Sequence, residues 1–176
     1  MTGLPATFAA GCYWGTEHFF VKKFKDAILT HAVGFMGGKE TGKVTYSQVK
    51  QGDTGHAEVF HCTYDPAKVN YEQLLEYFFR IHNSTTPNRQ SNDVGTNYRS
   101  AIFYHNEEQH QAAKEYIARL NGKDAELHAK YSQAFHNAPC VTTVEKAGTF
   151  FPAHEEHQNY LDKNADGYCS HRIYFT

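Results

Sequence analysis

One thiol stands apart as a candidate nucleophile. Cys12 sits in Gly11-Cys12-Tyr13-Trp14-Gly15, between two glycines and directly before two large rings. Residues 6–10 predict a short buried strand, and 16–28 has helical spacing, with Phe20, Phe24 and Ile28 four apart. A cysteine between a strand end and a helix start lies near unpaired backbone N–H groups and the positive end of the helix dipole. Both favour the thiolate, the reactive form. The competing reading is a buried packing thiol, because free cysteine is among the most buried residue types.

Glu58 is the second candidate. In the strand-like run 55–64, Gly-His-Ala-Glu-Val-Phe-His-Cys-Thr-Tyr, side chains alternate between faces. Glu58 then shares a face with Phe60, Cys62 and Tyr64, while Ala57, Val59, His61 and Thr63 take the other. Burial on the more apolar face penalises the charged carboxylate and should raise its pKa. A carboxyl kept protonated near neutral pH can act as a general acid. An edge strand with Glu58 pointing into water is the alternative.

The elements that must position these groups can be read along the chain. Strands are expected at 30–36, 56–64, 100–105 and 141–146. Helices are expected at 70–82, with Asn70 as N-cap and Gln73 three residues on, at 106–120 ahead of Gly122, and at 155–164. Residues 38–55 read as a glycine-rich, polar excursion carrying Tyr46, and 83–97 as a long polar loop of the kind that is often functional. This order implies an α+β fold, a two-layer α/β sandwich: a mixed sheet with helices packed on it, long irregular loops and an extended C-terminal tail. The strand order is left open. A single catalytic domain is expected over residues 1–176, with 165–176 a mobile tail.

Composition narrows the function classes. A formal charge of −2 gives no electrostatic case for nucleic acid or an anionic membrane, and no run approaches the length of a membrane span. Thirteen Phe and twelve Tyr suit an aromatic-lined pocket or a dense core equally well. The first eleven residues lack the pattern of a signal peptide, and four cysteines at 12, 62, 140 and 169 are too scattered for a disulfide scaffold. A reducing, cytoplasmic setting is expected.

Several blocks together carry a resemblance: Gly11 to Gly15, Thr45-Tyr46-Ser47-Gln48-Val49, Thr54-Gly55-His56-Ala57-Glu58-Val59, Tyr64-Asp65-Pro66 and Phe78-Phe79-Arg80-Ile81-His82. It continues through Thr85-Thr86, Asn92-Asp93-Val94-Gly95-Thr96-Asn97-Tyr98-Arg99-Ser100 and Gly167-Tyr168-Cys169. In this order, over nearly the whole chain, they resemble the A-type peptide methionine sulfoxide reductases.

The resemblance implies a thiol-dependent oxidoreductase that repairs oxidised proteins by reducing the S epimer of methionine sulfoxide, free or protein-bound. Cys12 would attack the sulfoxide sulfur, and Glu58 would hold the oxygen and supply its proton. Tyr46 and Tyr98 would bind the same oxygen, Asp93 would organise the site, and Tyr13 and Trp14 would hold the S-methyl group. The resulting Cys12 sulfenic acid would condense with Cys169, and thioredoxin would reduce the disulfide. The resemblance implies no cofactor and no metal, and a monomer is expected. Chemistry agrees with these roles: a sulfoxide oxygen leaves well only when protonated, and a neutral acid with two phenols is a fitting donor cluster. Cys62 and Cys140 match no redox position and read as packing residues.

The chain departs from the family pattern in places. Tyr13 stands where Phe is usual, Asn83-Ser84 where Asp-Pro is common, and Ser91 where Gly is usual; no second C-terminal cysteine follows Cys169. Three other readings remain. His154 and His157 invite a metal site, although no His-Glu-x-x-His or Cys-x-x-Cys accompanies them. A cysteine hydrolase would pair Cys12 with a histidine such as His56 and leave Glu58 without a role. A non-catalytic redox-sensing module would oxidise at Cys12 without turnover.

Overall fold

A computed structural model describes residues 3–38, 54–164, 166, 167, 169 and 171–176. Strand β1 (Leu4–Ala10) leads through Cys12 into helix α1 (Tyr13–Lys23) and then into β2 (Ile28–Met36). The helix begins and ends earlier than its apolar spacing predicts. It starts on the residue after Cys12, and Phe24 leaves helical geometry at φ −114°, so Ile28 opens the next strand instead. Lys22 and Lys23 in the last turn complement the negative helix end.

Strand β3 (Ala57–Tyr64) follows, then α2 (Tyr71–Ile81). As expected, Asn70 caps α2: its side chain accepts from the Gln73 N–H at 2.8 Å, and the Gln73 side chain accepts from the Asn70 N–H at 2.9 Å. The polar stretch 83–97 is more ordered than its composition suggests. It folds into a two-strand hairpin, β4 (Arg89–Gln90) and β5 (Asp93–Val94), and a 3-10 turn over Thr96–Tyr98. The Gln90 amide spans the base of this hairpin, bonding both the N–H and the C=O of Asn83 at 2.9 Å.

Beyond β6 (Ser100–Tyr104), helix α3 (Glu107–Ala118) is capped by Asn106 and runs into a wider turn that Gly122 ends at φ +136°. Helix α4 (Ala125–Ala134), capped by Asp124, escapes the sequence reading because only Tyr131 among its residues is buried. Strands β7 (Thr143–Lys146) and β8 (Phe151–Pro152) complete the sheet. The helix expected at 155–164 divides at Asn159, whose φ is +53°, into a 3-10 turn over Glu155–His157 and a single turn α5 (Tyr160–Lys163).

Six strands make one mixed sheet in the order β7-β6-β1-β3-β2-β8, antiparallel except where β6 and β7 run parallel. The α+β two-layer expectation holds. Phe8, Phe20, Phe60 and Phe78 pack between the sheet and α1 and α2, with stacked ring centroids 5.2–5.3 Å apart. A smaller cluster on the other face joins Ala9, Met36, Val59 and Phe103 to Phe150. Strand β3 is interior, with Phe8 opposite Phe60 on one side and Phe35 opposite Glu58 on the other. The edge-strand reading of Glu58 is therefore excluded.

A hydrogen-bonded relay ties the sheet to the end of α2. His82 Nδ1 lies 2.6 Å from the Phe78 carbonyl, which can only accept, so Nε2 is the acceptor for Ser100 Oγ at 2.7 Å. Ser100 meets Thr142 at 2.7 Å, and the Cys140 thiol donates to Thr142 at 3.3 Å. Burial drives the His82 pKa down to about 3, so the relay is built around a neutral imidazole. Cys62 is fully buried in the aromatic core, where burial pushes its thiol up to about 12; Cys140 is half-buried against the same core. In the described part of the tail, the N–H groups of Arg172 and Tyr174 donate to the carbonyls of Ile81 and Arg80 at 3.3 and 2.8 Å.

Candidate active site

The route from β1 into α1 fixes Cys12. Gly11 turns the chain at φ +86°, in the left-handed region, and a Cβ there would lie 2.6 Å from the Gln90 side chain. Cys12 occupies the N-cap with extended backbone, and the Thr16 hydroxyl donates to its carbonyl at 3.3 Å. Only 5% of Cys12 is exposed.

Glu58 reaches the same turn from β3. Its carboxyl accepts the backbone N–H of Tyr13, the residue after Cys12, at 3.3 Å, and the Asn97 amide at 3.5 Å. It is 1% exposed and lies on the helix-facing side of the sheet with Phe60, Cys62 and Tyr64, as the alternation predicts. Among the partners of this buried carboxyl is an N–H donor at a positive helix end.

The helix end favours the thiolate of Cys12, but its other surroundings oppose it. Burial first, then the Glu58 charge, pushes the Cys12 thiol well above the ordinary range; the Trp14 backbone N–H pulls the other way, and Asp93 and Cys169 add smaller upward pushes. The helix end acts in the expected direction, but desolvation outweighs it. The surroundings of Cys12 therefore favour its neutral thiol over the thiolate.

The remaining residues are placed as follows. Asp93 lies on β5, half-buried, close enough for its charge to act on Cys12. Tyr98 is buried in the 3-10 turn that packs on β3, next to the Asn97 that holds Glu58. Tyr46 lies outside the described residues. The Trp14 indole N–H donates to His157 Nδ1 at 3.1 Å, and the ring stacks on Tyr160 with centroids 3.8 Å apart. Tyr13 departs from the expectation of a pocket wall: its ring is fully buried against Phe35 and His157, so it supports the site from behind. Cys169 is exposed, and its Sγ would be 2.9 Å from a Cβ placed on Gly15.

Sequence reasoning overlooked six residues that hold these groups. Asn97 lay unremarked inside the Gly-Thr-Asn-Tyr block, and Thr16 is one turn beyond Cys12. His157 enters the sequence reading only with His154, as a metal possibility, and Tyr160, three residues beyond it, carries no signal of its own. His171 carried no pattern at all. Glu17 is buried as well, accepting from the Asn159 N–H at 2.6 Å and bonding His31 at 2.9 Å, which fastens α5 and its Tyr160 to α1.

The rival readings find little support in this geometry. His56 Nδ1 accepts the Gly38 N–H at 3.0 Å, and the charged or titratable groups that act on Cys12 are Glu58, Asp93 and Cys169. His157 is turned to the indole while His154 is exposed, and among the described residues no group of three or more His, Cys, Asp or Glu could hold a metal ion. No helix among them is long and apolar enough to cross a membrane.

Comparison with known proteins gives the family. The family model described as peptide methionine sulfoxide reductase matches residues 5–175. The peptide methionine sulfoxide reductase MsrA of Methanothermobacter thermautotrophicus is 47% identical over 164 residues, covering 93% of this chain and 89% of the relative. Mxr1 from Saccharomyces cerevisiae in its reduced form superposes with a TM-score of 0.82 at 36% identity, covering 97% of this chain and 91% of Mxr1. Mxr1 in complex with Trx2 superposes at 0.58 and 24% identity over 97% of this chain and 88% of that one, a likeness that bears on the fold alone. With a full-length family match and a relative this similar over nearly its own whole length, the chain belongs to the peptide methionine sulfoxide reductases, oxidoreductases of thiol-dependent methionine sulfoxide reduction.

Proposed function

We propose that Cys12 and Glu58 carry the sulfoxide step, that Cys169 resolves it, and that the substrate is the S epimer of methionine sulfoxide in free or oxidised-protein form. One observation carries the reading: a buried carboxyl rests against the amide of the residue that follows the candidate nucleophile. The sulfur of Cys12 attacks the sulfoxide sulfur while Glu58 protonates the oxygen, with Tyr46 and Tyr98 as further donors and Asp93 ordering the site. Oxygen passes to Cys12, methionine leaves, and Glu58 recovers its proton from the original thiol. The sum is thiol plus sulfoxide giving sulfenic acid plus thioether.

The raised Cys12 pKa suits this order. Glu58 disfavours the thiolate only while it is charged, so a Glu58 that is protonated against a bound sulfoxide oxygen eases ionisation of the attacking thiol. Trp14, backed by Tyr13, is the apolar and polarizable wall for the S-methyl group.

Cys169 then condenses with the sulfenic acid, and a protein dithiol of the thioredoxin type reduces the disulfide, without metal or cofactor. Four free thiols fit a reducing compartment, the cytoplasm, and a monomer suffices for the whole cycle. The test is turnover of each epimer with thioredoxin or dithiothreitol as reductant. Cys12→Ser should abolish reduction. Cys169→Ser should release one equivalent of methionine and then stall with thioredoxin, while dithiothreitol still recycles it. Retained turnover in Cys12→Ser, or undiminished thioredoxin cycling in Cys169→Ser, rejects the respective assignment.

A further inference from the structure

His171 comes from the tail yet is buried beneath the nucleophile's turn. Its Nε2 lies 2.7 Å from the Ala10 carbonyl and 3.2 Å from the Thr16 hydroxyl, which itself donates to the Cys12 carbonyl. A carbonyl only accepts, so the proton of a neutral His171 is on Nε2 and Nδ1 carries the free lone pair. That nitrogen faces Cys169 Sγ at 4.0 Å, and the thiol's other acceptor is the His171 carbonyl at 3.9 Å. Both Nδ1 and Sγ crowd the space over Gly15, where a Cβ would stand 2.2 Å from the nitrogen and 2.9 Å from the sulfur. Gly15 is in the first turn of α1, so the imidazole brings the exposed thiol to the helix end that Cys12 caps.

We propose that His171 positions Cys169 for the second half of the cycle and accepts its proton as the disulfide forms. The inference rests on the reading that Cys12 and Cys169 carry the redox cycle. The Cys169 sulfur bonds to the Cys12 sulfur and breaks its S–OH bond. The thiol proton goes to Nδ1 and on to the departing hydroxide, which leaves as water. Cys169 is oxidised, Cys12 is reduced from sulfenic acid, and His171 ends neutral as it began. The S–H bond becomes strongly acidic as its sulfur forms the new bond, so a weakly basic imidazole is sufficient. Burial, only partly offset by the Ala10 carbonyl, holds the His171 pKa down at about 4, which keeps the lone pair available at neutral pH.

Nothing in the first half-reaction needs this group, which separates the proposal from the assignment of Cys12 and Glu58. The full-length protein and its His171→Gln and His171→Ala variants are mixed with one equivalent of methionine sulfoxide and quenched over time. Methionine release is measured beside closure of the Cys12–Cys169 disulfide, seen as loss of two hydrogens in the intact mass. Gln can keep the donor to Ala10 without supplying a base, and it guards against loss of folding in the Ala variant. Closure should slow by about 100-fold in both, far more than methionine release, and added imidazole should accelerate closure in His171→Ala. Closure within about threefold of wild type in either variant, or no response to imidazole, overturns the proposal. A wild-type protein that releases methionine but never links Cys12 to Cys169 defeats the underlying cycle instead.

Discussion

Replacing Glu58 by Gln changes Cys12 chemistry in two opposite directions. The carboxyl accepts the Tyr13 N–H at 3.3 Å and the Asn97 amide at 3.5 Å. A glutamine of the same shape keeps its oxygen on Tyr13 and turns its NH2 toward Asn97, whose own amide can rotate to accept. Of these two bonds at most one is lost, a cost of about 1 kcal/mol to stability. The sulfoxide step loses its acid, worth about 10²- to 10⁴-fold, or roughly 3–5 kcal/mol of barrier. The thiol moves the other way. Glu58 is second only to burial in pushing Cys12 up, so without its charge Cys12 ionises more easily. Alkylation by iodoacetamide at about pH 9 should accelerate roughly tenfold for each unit by which the thiol falls. Quenched single-turnover methionine release and the rate of Cys12 alkylation measure the two effects in one preparation. Glu58→Gln should be a faster thiol and a slower reductase. Near-normal methionine release refutes the acid role, and a joint loss of both rates refutes the electrostatic reasoning by revealing general damage to the turn.

Gly15→Ala puts a methyl where His171 Nδ1 and Cys169 Sγ now sit, so the tail must shift by about 1 Å to restore ordinary contact. That loosens the His171 bonds to Ala10 and Thr16, about 2 kcal/mol together, and should slow disulfide closure about 30-fold; a closure rate like that of wild type contradicts the close approach. Phe20→Ala opens a hole where Phe8, Phe60 and Tyr77 meet, and denaturant unfolding should show a loss of about 3–5 kcal/mol; less than about 1 kcal/mol would deny the aromatic core its role. Acid should destabilise the fold through His82 and His171, whose pKa values are lowered to about 3 and about 4. Below the ordinary imidazole value of about 6.5 the unfolded chain binds protons that the folded chain refuses. Stability therefore falls from about pH 6.5 down to about pH 4, with each histidine contributing up to about 1.4 kcal/mol per pH unit. Urea midpoints that stay constant between pH 7 and pH 5 would contradict it.

Strong periodicity and self-contained caps made some elements legible in sequence. The Asn70–Gln73 box and the apolar face of α2 are local, and alternation along β3 was enough to put Glu58 with Phe60 and Cys62. Helix α1 was misjudged because Phe20, Phe24 and Ile28 keep helical spacing across a chain reversal, and spacing alone cannot see where a strand partner captures Ile28. Helix α4 and the β4–β5 hairpin escaped because their residues are largely polar. The hairpin also places Ser91 at φ +53°, a conformation that glycine would have signalled. Cys12 and Glu58 were legible as chemistry, but the ionisation of Cys12 was not. Its burial and the approach of Asp93 arise from parts of the chain far from residue 12. His171 was invisible for the same reason, since its partners Ala10 and Thr16 are brought to it only by the fold.

The measurement closest to the central claim is the fate of the sulfoxide oxygen in a protein that cannot resolve. Cys169→Ser is given one equivalent of the S epimer, quenched with dimedone and digested. The account predicts one equivalent of methionine and a matching dimedone adduct on the peptide carrying Cys12. Methionine released without any sulfenic acid at Cys12, or an adduct on Cys62 or Cys140 instead, would contradict it.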